Sequence, residues 1–360
     1  MARIAYVEPF EGGSHQAFGR SLRGGLPEHE WTEFSMPARH WKWRMRGAGV
    51  HLADDPRWDE GVDLLFASSY LALADLLALR PELHAKPRVL YFHENQLAFP
   101  MRPEFSGERD LHYGVTQMMS CLAATQCWFN SRYNLDSFID AARRLLQSMP
   151  DAKCPQWVER IEARSRVMPL PLELPALPPR GQRAQGRPLV VWNHRWEYDK
   201  APQRLFEGVD AALDKGLELR LAVVGERFKQ VPACFAKAKS RFDANPLVDL
   251  EAWGFLESRA DYWELLNRAD LVVSTAKHEF FGISMMEAAH AGADVLVPDD
   301  LAYVELFPDA CRYPPQAFGE ALCDWLENPP SPPRANPGLA ASFAAERVLP
   351  RYRAALNELL

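Results

Sequence analysis

The chain has 360 residues, of which 48% are hydrophobic and 25% charged, a balance typical of a folded globular protein. That length suits two domains of about 150–180 residues rather than one ordinary core. The net charge of −7 argues against a surface coated in phosphate-binding groups, although a local basic patch is compatible with it. The sequence contains neither a signal-peptide pattern nor an apolar run near the roughly 18 residues of a membrane helix. We therefore expect a soluble, cytoplasmic protein without a membrane partner.

Short, continuous apolar runs predict parallel strands that are covered on both faces. In the first half these runs are Arg3–Val7, Asp63–Ala67, Arg88–Phe92 and Gln126–Asn130. In the second half they are Leu189–Asn193, Glu218–Val224, Val248–Trp253, Asp270–Thr275 and Asp294–Pro298. Amphipathic segments between them predict helices at Ser69–Leu79, Ser131–Leu146, Ala201–Lys215 and Ser258–Arg268. The alternation occurs twice, so the sequence predicts an α/β protein with two doubly wound, Rossmann-like domains.

Composition marks the boundary between the two predicted domains. Leu170–Pro188 is rich in proline, arginine and glycine, which disfavours a regular helix or central strand and predicts a linker. We expect an amino-terminal domain at 1–180, a carboxy-terminal domain at 187–335, and a last helix around Gly338–Leu360 within 336–360. Ligands bind at the carboxyl ends of such strands, so the cleft between the domains is the predicted active site.

The most informative segment is Thr275–Gly292, where a strand leads through a loop into a helix that begins near Gly282. A helix amino terminus offers free N–H groups and the positive end of a dipole, which suit a diphosphate. Glu279 lies in the loop and Glu287 eight residues later in the helix. They are placed to accept hydrogen bonds from the transferred sugar and from a ribose, respectively. Either carboxylate taken alone could instead be a solvated group beside a core helix.

The order of strand, Glu279, Phe-Gly turn, helix and Glu287 resembles the Glu-x7-Glu pattern of retaining glycosyltransferases of the GT-B type, which have two Rossmann-like domains. Upstream, Arg195 can hold a pyrophosphate by bidentate contacts and Lys200 as a point charge. The resemblance implies that these two cations neutralise the leaving diphosphate, whereas alone they would be ordinary surface charges. The predicted catalytic residues are His93, Arg195, Lys200 and Glu279. The predicted donor-binding residues are Gly12, Gly13, Gly225, Glu226, Phe255, Phe281, Gly282 and Glu287.

Polar motifs also follow two strands of the first half. Gly12 and Gly13 permit close approach of the backbone to a phosphate or sugar, although strand-to-helix turns also use glycine for geometry alone. The polar run Tyr91–Gln96 suits sugar binding, and His93 matches the histidine that contacts the donor hexose in the wider class. His93 could instead cap a helix or satisfy a loop carbonyl.

Met36–Arg46 interleaves cations with aromatic rings, as stacking on RNA bases and contact with phosphates require. Alternatively, its two tryptophans are core residues and the cations lie on the far face. A second polar cluster, His112, Tyr113 and Gln117, could line the acceptor side, but it also fits an ordinary amphipathic helix. The predicted acceptor-binding residues are Ser14, His15, Arg39, Trp41, Lys42, Trp43, Arg44, Glu94 and Asn95.

The chain as a whole resembles the tRNA-queuosine α-mannosyltransferase family from about Ile4 to about Pro315. The matching segments are Gly12–His15, Met36–Arg46, Phe66–Pro81, Tyr91–Pro100, Tyr113–Ala124, Phe129–Phe138, His194–Lys200, Val223–Phe228 and Ser274–Gly282. The resemblance implies transfer of mannose from GDP-mannose to the cyclopentene-diol of queuosine at the tRNA wobble position. It also implies that the last helix packs back on the first domain.

The expected mechanism follows from the charged groups. No carboxylate dyad with a plausible nucleophile stands out, which favours front-side displacement with retention of configuration. Arg195, Lys200 and the helix amino terminus would stabilise the leaving diphosphate, so we expect neither a cofactor nor a metal. Two alternatives stay open, namely a glycosyltransferase acting on a small molecule or another modified nucleoside, and a catalytically silent RNA-binding protein. The donor base and the hexose are also open on the residues alone.

Overall fold

The computed structural model describes residues 1–99, 110–180, 186–227 and 231–360. Within these ranges the chain forms two compact units. Unit 1 consists of Met1–Glu173 together with Phe343–Leu360, and unit 2 of Leu174–Ser342. The ends of two predicted motifs, at Pro100 and Phe228, and the middle of the predicted linker lie outside the described residues.

Unit 1 is built on a parallel sheet in which the described strands have the order β2-β1-β3-β4-β5-β6. These strands are β1 Arg3–Glu11, β2 Glu30–Pro37, β3 Leu64–Ser68, β4 Arg88–Phe92, β5 Gln126–Phe129 and β6 Ser165–Val167. The helices between them are α1 Gly13–Gly25, α2 Trp41–Ala53, α3 Leu73–Leu79, α4 His112–Ala123, α5 Arg132–Ser148 and α6 Gln156–Glu162. Apolar side chains fill both faces of the central strands, as their continuous runs predict.

Unit 2 repeats the architecture with the strand order β12-β11-β10-β7-β8-β9, again parallel. Its strands are β7 Leu189–Asn193, β8 Leu219–Val224, β9 Val248–Gly254, β10 Leu271–Val273, β11 Asp294–Pro298 and β12 Arg312–Tyr313. Its helices are α7 Pro202–Asp214, α8 Cys234–Asp243, α9 Arg259–Arg268, α10 Ile283–His290, α11 Tyr303–Leu306, α12 Phe318–Glu327 and α13 Pro337–Ala341. Among the described residues, no helix combines the length and apolarity needed to span a membrane.

Both sheets are doubly wound, which confirms the predicted fold class. In unit 1 the chain order changes direction between β1 and β3, and in unit 2 between β7 and β10. Loops that leave adjacent strands at such a switch point diverge and open a crevice at the carboxyl ends of the strands. The loops after β1, β3, β7 and β10 are therefore where the fold places ligand-binding side chains.

The carboxy terminus corrects one prediction. The single last helix expected around Gly338–Leu360 is two helices, α13 in unit 2 and α14 Ala345–Asn357 in unit 1. The break lies where the backbone N–H of Leu172 donates to the carbonyl of Phe343 and its own carbonyl accepts from Ala345. These two bonds draw residues 343–345 out of a helical path. In α14 the Tyr352 hydroxyl donates to the Met168 carbonyl at 3.1 Å, which ties this helix to unit 1.

The boundary between the two units also lies earlier in the chain than predicted. It falls between residues 173 and 174, whereas the sequence predicted a first domain that ends at 180 and a second that begins at 187. Residues 174–180 belong to unit 2, where the carbonyl of Pro175 lies 2.7 Å from His290 Nε2 and Arg180 contacts the carbonyl of Ala269. At the other end the boundary lies at 342/343 rather than 335/336. The differences arise because residues 174–180 and α13 pack within unit 2, which the proline-rich composition around them does not reveal.

Candidate active site

The loops after β7 and β10 bring Lys200 and Glu279 into contact in unit 2. The Lys200 ammonium lies 3.2 Å from the Glu279 carboxylate and 3.3 Å from that of Asp199, and it donates to the carbonyl of His278 at 2.8 Å. The Thr275 hydroxyl donates to the Lys200 carbonyl and holds the two loops together. Lys200 and Asp199 are both buried, so unit 2 encloses an ammonium between two carboxylates at its switch point.

This charge cluster shifts the pKa values of its members. Burial raises the pKa of Glu279, but the Lys200 ammonium and His194 outweigh it and lower the pKa to about 2. Burial lowers the pKa of Lys200, whereas Glu279 and Asp199 raise it, and the net shift is upward. Burial and the Lys200 charge lower the pKa of His194 to about 3. At neutral pH the site therefore contains a fixed ammonium, the ionised Glu279 carboxylate and an uncharged imidazole.

Glu279 is also tied to the loop before α10. Its Oε1 accepts hydrogen bonds from the backbone N–H groups of Phe280 and Phe281, both of which are buried. Gly282 follows as the residue that caps α10, with φ of 81° and no room for a Cβ, which would lie 2.7 Å from the Tyr303 ring. This left-handed turn requires glycine and aims the first N–H groups of α10 out of the loop.

Glu287 lies inside α10 and is held from two sides. The Tyr262 hydroxyl of α9 donates to one of its oxygens at 2.7 Å, and Arg259 pairs with the other. The Tyr262 oxygen accepts in turn from the Asn193 amide at 2.9 Å. Burial and the Glu287 charge raise the pKa of Tyr262 well above its ordinary value, so this hydroxyl stays a donor. The result is a buried carboxylate with fixed orientation at the end of β7.

The remaining predicted donor residues of unit 2 lie at neighbouring strand ends. Gly225 follows β8 and lies so close to the β7 loop that a Cβ would be 1.8 Å from the His194 carbonyl. The next residue, Glu226, is exposed and accepts a backbone hydrogen bond from Trp196. Arg195 is half-exposed and lies 3.3 Å from Glu197, and Phe255, after β9, is exposed. Arg195, Gly225 and Glu226 thus share one edge of the sheet, with Phe255 one strand further out.

In unit 1, the loops after β1, β3 and β4 assemble a different cluster. Glu8 is fully buried, and its carboxylate accepts from the Ser68 hydroxyl at 2.9 Å and lies 3.0 Å from His15 Nδ1. The His15 and His93 rings face each other with centroids 4.0 Å apart. Burial and the neighbouring His15 hold the pKa of His93 well below its ordinary value. The two histidines that the sequence singles out are therefore in direct contact.

Glu8, His15 and His93 are also the described residues with the best spacing for a metal ion, since their ligand atoms lie within 4.8 Å of one another. The planes of the two rings differ by only 34°. Imidazole lone pairs lie in the ring plane, so facing rings aim them side by side rather than at one point. The geometry fits a hydrogen-bonded Glu8–His15 pair better than a metal centre.

Of the other predicted residues in unit 1, Gly13 and Ser14 are exposed at the start of α1, and Gly12 precedes them. Glu94 accepts from the Tyr70 hydroxyl at 2.7 Å, close to the histidine pair. The structure does not bring Asn95 to this cluster. Its side chain is buried and donates to Asn134 while accepting from the Ala98 backbone, which satisfies the amide inside the fold.

The predicted basic and aromatic segment forms the end of β2 and the start of α2. Trp43 is 66% exposed and Arg44 only 9%, so the alternative in which both tryptophans are core residues and the cations face outward is wrong. Trp41 packs against Tyr113 of α4, with the Lys42 ammonium 5.7 Å from both ring centroids. Arg39 is exposed. In the second polar cluster, His112 is exposed, whereas Gln117 is buried and accepts from the Gln96 backbone.

Sequence reasoning missed four residues that complete these clusters, namely Glu8, Asn193, Asp199 and Tyr262. Glu8 lies within β1, and a charged residue in a buried strand is the signal that could have found it. Tyr262 lies in an ordinary amphipathic helix, where the spacing gives no sign of its partner Glu287.

Comparisons with known proteins identify the class of this fold. A family model described as the tRNA-queuosine alpha-mannosyltransferase N-terminal domain matches residues 3–172, and one for group 1 glycosyl transferases matches residues 176–338. The Anabaena HepE protein, crystallised with UDP-glucose, has a TM-score of 0.69 at 15% identity, with both chains fully covered. A sucrose-phosphate synthase from Thermosynechococcus elongatus gives 0.73, also at 15% identity, over 100% of this chain and 99% of that one. Fold and site define a glycosyltransferase of the GT-B class.

Two relatives found by sequence identity narrow the class to a family. The tRNA-queuosine alpha-mannosyltransferase of Drosophila melanogaster is 36% identical over 319 residues, which cover 86% of this chain and 83% of the relative. A GDP-mannose:cellobiosyl-diphosphopolyprenol alpha-mannosyltransferase of Xanthomonas campestris is 25% identical over 64% of this chain and 54% of its own. The chain belongs to the tRNA-queuosine alpha-mannosyltransferase family.

Proposed function

We propose that this protein transfers mannose from GDP-mannose, with retention of configuration, to the cyclopentene-diol of queuosine at the wobble position of tRNA in the cytoplasm. The observation that carries the donor chemistry is the buried Lys200 ammonium paired with Glu279 beside the first turn of α10. The name of the Drosophila relative and the matching amino-terminal family model support queuosine as the acceptor. Both mannosyltransferase relatives support mannose as the sugar, and the Xanthomonas relative supports GDP-mannose as its donor.

In the proposed reaction the bond between the mannose anomeric carbon and the diphosphate oxygen breaks. A bond to the acceptor oxygen forms on the same face, and the acceptor proton passes to the leaving diphosphate. Lys200, Arg195 and the N–H groups at the start of α10 stabilise the negative charge that develops there. Glu279 accepts hydrogen bonds from the mannose hydroxyls, and Glu287 from the ribose.

The proposal includes no divalent metal, because it assigns two protein cations and a helix amino terminus to the charge of the diphosphate. This part has its own test. Transfer should continue in excess EDTA at its rate without chelator, and a loss restored by Mg²⁺ or Mn²⁺ would contradict it.

One assay distinguishes the proposal from its alternatives. The protein is incubated with GDP-mannose and tRNA from cells grown with or without queuine, and the digested nucleosides are weighed by mass spectrometry. A hexose on queuosine, only in queuine-fed tRNA, is the expected result. Donor hydrolysis without labelled tRNA would favour another acceptor, and tRNA binding without turnover would favour a silent binding protein.

A further inference from the structure

A cavity of about 430 Å³ opens beside α2 in unit 1, within the size range of about 300–1,000 Å³ typical of ligand sites. Its lining includes Met36 from the end of β2, Arg39 from the segment after β2, and Trp43, Arg44 and His51 from α2. No acidic side chain is among the described residues that line it. The cavity is therefore a basic and aromatic pocket in a protein whose net charge is −7.

Arg44 is the residue that distinguishes this pocket from a chance surface hollow. It is 91% buried, and its Nε is enclosed without a hydrogen-bond acceptor. Among the residues that the structure describes, none forms an ion pair with Arg44. Enclosing this N–H without an acceptor is costly, since burial removes its water and no protein group takes the place of that water. An anion in the pocket would supply the missing partner.

Trp43 presents the second recognition element. Its indole is 66% exposed, yet it lies against Gly47, where an added Cβ would meet two ring carbons at 3.0 Å. The ring is thus held in place without being covered. A planar, exposed aromatic face beside a cation is the arrangement on which unpaired nucleic-acid bases stack.

The pocket also lies next to the predicted chemistry of unit 1. β2, which leads into it, pairs in parallel with β1, and Glu11 is opposite Pro37. A Cβ on Gly12 would lie 2.5 Å from that of Ala38, so the Gly12 loop that leads to His15 touches the segment before α2. A strand of RNA whose modified nucleotide reaches His15 can therefore place a neighbouring nucleotide at Trp43 and Arg44.

We infer that this pocket binds one unpaired nucleotide of the RNA acceptor that flanks the modified one, with its base on Trp43 and its phosphate at Arg44. The identity of the RNA rests on the proposed function. That the pocket binds an anion beside an aromatic ring is argued from Arg44 and Trp43 alone. Arg39, which also lines the pocket, adds positive charge, which favours the same polyanion.

The test measures binding of a tRNA anticodon stem-loop, carrying either queuosine or guanosine at the wobble position, to the full-length protein. Trp43→Ala should weaken binding about 10-fold, the size expected for one base stack. Arg44→Met should weaken it about as much and lower the salt dependence of binding by the equivalent of about one phosphate contact. Arg144→Ala, which removes an exposed charge from α5, is the matched control and should bind like the unchanged protein.

Arg44→Met has a second readout that separates a ligand site from a structural role. Because the variant removes an enclosed N–H that has no acceptor, its melting temperature should be equal to or above that of the unchanged protein, while its RNA affinity falls. A lower melting temperature together with unchanged RNA affinity would overturn the inference.

The donor provides the last control. In hydrolysis of GDP-mannose without RNA, the KM is measured for Trp43→Ala and for Arg144→Ala, and the control Arg144→Ala should have the kcat and KM of the unchanged protein. A raised KM for GDP-mannose with unchanged RNA affinity would assign the pocket to the donor and overturn the inference. If the unchanged protein binds both stem-loops but mannosylates neither, the proposed function fails. The RNA affinities of Trp43→Ala and Arg44→Met then still decide whether the pocket binds RNA.

Discussion

The two units place different chemistry at the same point of the same fold. In unit 2 the switch point holds charges in direct contact, with the Lys200 ammonium between the carboxylates of Glu279 and Asp199. In unit 1 the corresponding loops hold rings, with His15 against His93 and a single buried carboxylate, Glu8, behind them. The unit 2 site is therefore built on buried ions, and the unit 1 site on aromatic rings and the hydrogen bonds of His15 and Glu8.

The difference indicates which part of the reaction each unit serves. Burying ions is expensive and is compensated only when their partners are well placed, so a buried ion cluster is weak evidence for stability alone. It is well suited to a diphosphate whose charge increases as the sugar leaves. Rings with a low-pKa imidazole suit neutral hydroxyls instead. We therefore expect changes in the ion cluster of unit 2 to affect the leaving diphosphate, and changes in the ring cluster of unit 1 to affect the binding of sugar or acceptor hydroxyls.

The largest effect is expected from Lys200→Met, which removes the buried cation. Transfer should fall at least about 10³-fold, because the leaving diphosphate loses its enclosed positive charge. Stability should also fall by about 3–5 kcal/mol, since two buried carboxylates lose their partner. Steady-state transfer assays and denaturant unfolding measure the two quantities.

A double variant separates those two consequences. Lys200→Met with Glu279→Gln leaves only one of the two carboxylates uncompensated, so it should regain much of the stability but none of the activity. Recovery of activity together with stability would mean that Lys200 has only a structural role.

A smaller effect is expected from Glu287→Gln, which keeps the shape of the side chain but removes its charge. The KM for GDP-mannose should rise about 10-fold with a lesser change in kcat, because the ribose is remote from the reacting carbon. Kinetics at varied donor concentration provide the measurement, with Glu264→Gln on the exposed face of α9 as control. An unchanged KM for GDP-mannose would contradict the proposed hydrogen bond between Glu287 and the ribose.

The smallest effect concerns pH and stability. His194 has a pKa of about 3 in the folded protein and an ordinary value near 6.5 when unfolded, so between these values the unfolded chain binds a proton that the folded one does not. Stability should therefore decrease as the pH falls through this window, by about 1.4 kcal/mol per pH unit from this group. His194→Asn should remove the contribution of this group to the change in the free energy of unfolding between pH 7 and pH 5.

Unfolding at both pH values provides the measurement, and His112→Asn, an exposed histidine of α4, should keep the full slope. An equal slope in His194→Asn and the unchanged protein would show that the buried ion cluster does not hold His194 uncharged.

Much of this architecture could be predicted from the sequence, because continuous apolar runs identify parallel strands. The bounds of β4, β7 and β11 agree residue for residue with their predicted runs. The edge strand β2 escaped prediction because it is half-buried and has neither a continuous apolar run nor a regular alternation of polar and apolar residues. Short β6 and β12 carry too few residues for a signal.

The sites could be predicted only in part, for a related reason. Motifs identified Lys200 and Glu279, which lie 79 residues apart along the chain, but their contact depends on the adjacency of β7 and β10. The partner of Glu287, Tyr262, lies in a helix whose pattern indicates only burial. The Nε of Arg44 is enclosed without an acceptor because of the way α2 packs, and the spacing of residues along the sequence does not predict that packing.

Arg195→Ala tests the central assignment most directly, because this half-exposed side chain can be removed without the stability cost of a buried ion. The measurement is kcat for mannose transfer to queuosine tRNA at saturating donor, together with the Kd for the same tRNA. The account predicts that kcat falls about 10²–10³-fold while the Kd stays the same. A kcat equal to that of the unchanged protein would contradict it.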